Sequence, residues 1–112
     1  MNRAIPEKDW KYLRKINRDM LNTLCYRINK QSVSIIQNPD KTEHEKYLEL
    51  YTHILDSDEI VARCFNDWRR SNIEIKISQL LLENLLTEEH IQNLSDETQK
   101  LIEFYRSLQK KK

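Results

Sequence analysis

The chain has no glycine and only two prolines in 112 residues. A β-rich fold of this size needs many turn positions with positive φ, which glycine normally fills. That absence argues strongly against a sheet or barrel and for long helices joined by few turns. Cysteine is nearly as scarce. Cys25 and Cys64 stand alone without Cys-x-x-Cys spacing, so the sequence builds neither a disulfide framework nor a zinc knuckle. No apolar run reaches the length that crosses a bilayer, and Met1 to Pro6 hold no apolar leader segment. These absences lead us to expect a cytoplasmic protein with two reduced thiols. An excess of one charge sign is missing too. Lys and Arg number 19 and Asp and Glu 18, for a net charge of +1, so no global field draws the chain to nucleic acid or to a membrane surface.

What is present is one domain's worth of residues, 1–112, of which 38% are hydrophobic and 33% charged. That is lean for a self-sufficient core, because small domains bury a small share of their surface. Thin helices of this composition keep an uncovered apolar stripe, and a second copy is the usual cover. We therefore expect a homodimer. The charge is also unevenly spread. Residues 1–41 carry nine Lys/Arg and four Asp/Glu, whereas residues 42–112 carry ten and fourteen. The two parts should attract, within a chain or between chains.

The organising stretch is Thr42 to Leu86, a helical region expected over about residues 43–86. Thr42-Glu43-His44-Glu45 has capping-box spacing, with Pro39 and Asp40 ending whatever precedes it. Tyr47, Leu50, Tyr51, Ile54, Leu55, Val61, Phe65 and Trp68 follow in steps of mostly three, four and seven, the spacing of one helical face. No glycine or proline breaks the acidic run Asp56-Ser57-Asp58-Glu59, which favours a continuous helix there. The whole region reads as one bent rod or as two helices. Ile73-Glu74-Ile75-Lys76-Ile77 alternates like a strand. Yet Ile73, Ile77, Leu80, Leu81 and Leu85 also keep helical spacing, and no partner strand exists, so we read helix. Upstream, a first helix over about 7–37 carries Leu13, Ile16, Met20, Leu24 and Ile28 as its stripe. It opens at Pro6, with Glu7 and Asp9 near its positive end. Downstream, Thr87 and Ser95 open two short helices within about 87–108. The second of these buries Leu101, Ile102, Tyr105 and Leu108, with Lys110-Lys111-Lys112 at its negative end.

Chemistry-bearing patterns are few. His44 and His53 point to opposite sides of a helix, at about 100° per residue. With His90 and the two cysteines they make no metal-binding pattern. No activated nucleophile, carboxylate site or phosphate-cradling loop stands out, so we expect neither an enzyme nor a cofactor. Lys8, Lys11, Lys15 and Arg18 form a basic stripe on the first helix beside Trp10 and Tyr12, a combination that can hold phosphates and stack bases. The near-neutral net charge ranks nucleic acid below protein as the partner. Trp68-Arg69-Arg70, beside Phe65 and Asp67, has the residue types that carry binding energy at interfaces. It reads either as an interface or as core with a local Asp67 ion pair. The expected dimer or partner surface comprises Tyr51, Ile54, Leu55, Val61, Phe65, Asp67, Trp68, Arg69, Arg70 and Leu85, with a second patch near Leu85 to Leu94.

Several of these stretches resemble the cyanobacterial fluorescence recovery protein family. Gln79-Leu80-Leu81-Leu82-Glu83-Asn84-Leu85, a turn containing Glu89, Leu94, and Gln99 to Ile102 look like its C-terminal part. Asp67-Trp68-Arg69-Arg70-Ser71 is similar to its Asp-Tyr-Arg-x-Ser, and Leu55 falls where the family has Leu. Tyr12, Ile16, Arg18-Asp19 and Leu24 resemble its first-helix positions. The resemblance implies an all-α homodimer with long antiparallel helices and a smaller C-terminal helical head, and no enzyme or cofactor. It implies a protein that binds the photoactivated orange carotenoid protein and speeds its relaxation. The sequence departs from that pattern at the family's Trp-x-x-His-Asp cluster, where Glu49, Leu50, Tyr51, Thr52 and His53 stand. It departs again at an Arg in the same helix, replaced by Glu59. In the family those positions form the dimer seam and partner contact. We therefore expect a relative with a different, unknown protein partner. The Asn-, Lys- and Ile-rich composition suggests a bacterial source.

Overall fold

The computed structural model describes residues 5–110, and all the regular structure in them is helical. Lys111 and Lys112, part of the expected basic end of the last helix, lie outside the described residues, as do Met1 to Ala4. The elements are α1 (Glu7–Ile36), α2 (Glu43–Phe65), a 3-10 turn (Arg70–Asn72), α3 (Ile73–Leu82), α4 (Glu88–Gln92) and α5 (Asp96–Lys110). The isoleucine triplet is helix. Ile73 and Ile77 are fully buried one turn apart, while Ile75 faces water.

Two local rules set the ends of α2. At its start the Thr42 hydroxyl accepts from the Glu45 N–H at 3.1 Å, and the Glu45 carboxylate accepts from the Thr42 N–H at 2.9 Å. Replacing Thr42 with alanine should lower stability by about 1 kcal/mol, seen as an earlier urea midpoint with an unchanged slope. The helix then runs unbroken through Asp56-Ser57-Asp58-Glu59. It ends at Phe65, so residues 43–86 hold two helices, α2 and α3, and not one bent rod. Asn66 is extended and Asp67 adopts φ 61°, which stops the hydrogen-bond ladder without glycine. Trp68, which the spacing assigned to the helix, sits in this break. The Asn72 side chain organises the turn by accepting from the Arg69 N–H at 2.9 Å and donating to the Asp67 carbonyl at 2.7 Å. A second left-handed residue, Asn84 at φ 56°, ends α3. The Arg27 guanidinium donates to the carbonyls of Glu83 and Asn84 at 2.7 and 3.0 Å, tying that end to α1.

One apolar cluster holds the head together. Leu13, Ile16, Met20 and Leu24 of α1 meet Cys64, Ile73, Ile77, Leu80, Leu81 and Ile102, with Leu85, Leu86 and Leu94 from the connecting segments and Ile91 of α4 closing it. Beyond Leu24, α1 and α2 continue as an arm on which Ile35 is buried but stands apart from that cluster. The molecule is correspondingly elongated, 53 × 29 × 26 Å. Of the apolar residues expected on α5, Ile102 is fully buried, Leu101 and Tyr105 are half-buried and Leu108 is exposed.

Asp9 fastens the two ends of the chain. It occupies the buried phase of α1, four residues before Leu13, and is fully buried. Its carboxylate accepts from the Ser95 N–H at 3.0 Å, from the Ser95 hydroxyl at 2.6 Å and from the Thr98 hydroxyl. A negative charge thus sits on the N-terminus of α5, where the backbone dipoles favour it.

Candidate functional site

The outer surface of α2 carries five large apolar side chains, although the helix already has an inner seam against α1. The seam against α1 is made by His53, Ser57, Ile60 and Cys64, one residue per turn. Within it His53 Nε2 lies 3.0 Å from the Ile28 carbonyl, close enough for Nε2–H to donate, and Ser57 Oγ lies 3.5 Å from Nδ1. Tyr47, Leu48, Tyr51, Ile54 and Leu55 point away from that seam and are 44–64% exposed. The apolar spacing of α2 therefore divides between two faces. Val61 and Phe65 pack on the core, whereas Tyr51, Ile54 and Leu55 reach solvent. On α1, Tyr26, Val33 and Ile36 are exposed as well. Tyr26 and Val33 line a shallow groove of about 470 Å³ with Asn29, Lys30, Ser34 and Gln37.

The cluster from Phe65 to Arg70 separates into three parts. Phe65 and Trp68 stack with ring centroids 6.3 Å apart and planes 9° from parallel, and the Trp68 Nε1–H donates to the Cys64 carbonyl at 2.7 Å. Both rings line a cavity of about 410 Å³ with Trp10, Arg14 and Asn17. Asp67 and Arg69 pair with each other at 2.8 Å in full view of solvent, an arrangement that contributes little. Arg70 acts as a clamp, donating to the Glu7 carboxylate and to the Ile5 carbonyl at 2.6 Å, with its guanidinium 6.0 Å from the Trp10 ring. Its Nε is the one buried side-chain polar atom among the described residues that makes no hydrogen bond.

Other expected site residues fall elsewhere. Leu85 is 2% exposed, and Leu86, Ile91 and Leu94 are buried with it, so the patch expected near Leu85 to Leu94 presents its large apolar side chains to the core. Lys8, Lys11, Lys15 and Arg18 all lie on the exposed surface of α1. The histidines are employed structurally: His90 Nδ1 accepts from the Thr87 N–H at 3.1 Å, and His44 stacks on Tyr47. Among the described residues no three of His, Cys, Asp and Glu gather closely enough to hold a metal ion, and no helix is long and apolar enough to cross a membrane.

Both thiols are free. Burial, reinforced by Glu83, pushes the Cys64 thiol above its ordinary value of 9.0. The unfolded chain ionises this group near 9.0 while the folded chain keeps it protonated, so its contribution to stability is full below that pH and is lost as pH rises through the folded value. Labelling with a thiol reagent at neutral pH should modify half-buried Cys25 first and reach Cys64 only on unfolding.

Compared with family models, curated proteins and solved structures, the chain matches none of them.

Proposed function

We propose that this protein is a non-enzymatic protein-binding module that works as a homodimer joined along the outer face of α2. The observation that carries this reading is the outer face of α2, where five large apolar side chains face water on a helix whose other side is already packed. Contiguous exposed apolar residues of this kind mark association surfaces. Tyr and Leu seated side by side supply large contact area with few rotatable bonds to immobilise. Sedimentation equilibrium at micromolar concentration tests it, with a mass twice that of the chain expected and a monomer excluding it.

The resemblance to the fluorescence recovery protein family extends the proposal. The dimer would act on a second protein by preferring one of its conformations, which shifts the partner's equilibrium by the difference in affinity. Because the family's seam and contact residues are replaced here, the partner is a protein other than the orange carotenoid protein. Mixing with the photoactivated form should leave its colour recovery unchanged. A second reading, a small nucleic-acid-binding or regulatory factor, is favoured by one observation, the shared exposure of Lys8, Lys11, Lys15 and Arg18. It requires binding to DNA or RNA that weakens steeply with salt.

A further inference from the structure

The cavity between α1 and the end of α2 is built differently from the apolar arm. Its walls are Trp10, Phe65 and Trp68, and its polar groups are the Arg14 guanidinium and the Asn17 amide. Arg14 lies 5.8 Å over the Trp10 ring, is exposed, and among the described residues makes no hydrogen bond or ion pair. Neighbouring acids are already engaged, Glu7 by Arg70 and Asp67 by Arg69. The indole N–H of Trp68 is engaged too, on the Cys64 carbonyl. What remains open are the exposed edges of three half-buried rings, a guanidinium with no partner among the described residues and one neutral amide.

We propose that this cavity receives an acidic segment of a partner protein, an aromatic or aliphatic side chain resting on Trp10, Phe65 and Trp68 while an adjacent carboxylate pairs with Arg14. This deepens the protein-binding reading and rests on it. The guanidinium is held in place by its ring and offers the planar fork that carboxylates accept. Lys11 and Arg18, one turn to either side of Arg14, add positive charge along the entry. A nucleic acid fits less well. Its backbone carries a charge at every nucleotide and asks for an unbroken basic track. At about 100° per residue, Glu7 and Asp19 fall on the same arc of α1 as the lysines and interrupt it.

Trp10 and Trp68 are the only tryptophans in the chain, and both line this cavity. Intrinsic fluorescence therefore reads its occupancy directly. The probe is a short synthetic peptide with phenylalanine between aspartate and glutamate residues, and the control replaces the acids by asparagine and glutamine. Saturable fluorescence change with the acidic peptide is expected, with roughly tenfold weaker binding in Arg14→Glu. Circular dichroism should show that this exposed substitution leaves the helices intact. No fluorescence change with the acidic peptide, equal affinity for the neutral control, or unaltered affinity in Arg14→Glu would overturn the proposal. So would tighter binding of an oligothymidylate. Sedimentation of the same samples separates this outcome from the dimer, because the α2 face and the cavity share no residue.

Discussion

Replacing Tyr51 and Leu55 together by glutamate should leave a folded monomer. Both side chains are more than half exposed in the single chain, at 58% and 52%. Exposed substitutions away from caps and cores usually change stability by no more than about 0.5 kcal/mol. Helicity and the melting temperature should therefore stay close to those of the parent. Association is different. Each of these side chains contributes about 1.5–3 kcal/mol when fully taken out of water, and the introduced carboxylates would face one another across the seam. Four such side chains, two from each copy, each have about half of their burial still to gain, so a loss of about 3–6 kcal/mol weakens the dimer by roughly a hundredfold to ten-thousandfold. Sedimentation equilibrium across a range of concentrations measures this. An unchanged dimer in the double variant would remove the outer face of α2 from the interface.

The second large effect is expected at the other end of the molecule. Asp9→Ala should destabilise the fold by about 2–4 kcal/mol, because deleting the acceptor leaves the donors of part-buried Ser95 and buried Thr98 without their partner. For a chain of this size the melting temperature should fall by roughly 10–20 °C. Asp9→Asn keeps the shape and one acceptor oxygen but turns the other into a donor facing hydroxyls, and should recover only part of the loss. A calorimetric scan of the three proteins orders them. If Asp9→Ala melts with the parent, the contact is not the fastening described here.

The helical character of the chain was legible because it depends on few quantities. The absence of glycine, the three-and-four spacing of Leu13, Ile16, Met20 and Leu24, and the capping box at Thr42 each act within one or two turns. The break after Phe65 was not legible, because an aspartate at positive φ carries no signature that a helical aspartate lacks. The Asn72 side chain that holds the Asp67 carbonyl comes from five residues on. Asp9 left a trace that reading for the helix dipole passes over: an acid in phase with a buried stripe requires a buried partner. The surface of α2 was half legible. Tyr51, Ile54 and Leu55 could be named, but their spacing merged with that of Val61 and Phe65, which pack inward. Apolar residues spread over too wide an arc for a single neighbour, Leu48 beside Tyr47 included, were the sign that the helix has two apolar faces. The cavity around Trp10 was hidden because its walls come from positions more than fifty residues apart.

The isolation of Ile35 from the main cluster has a consequence for motion. Past Ile28 the arm rests on one buried isoleucine, the Lys41–Glu49 pair and the backbone ladders of its two helices, so its ends can separate while the head stays intact. Its amide protons should trade with deuterium long before those of α3. A bound second copy would slow that trade at Tyr26 to Leu55, making protection along the arm a record of how long the two molecules stay together.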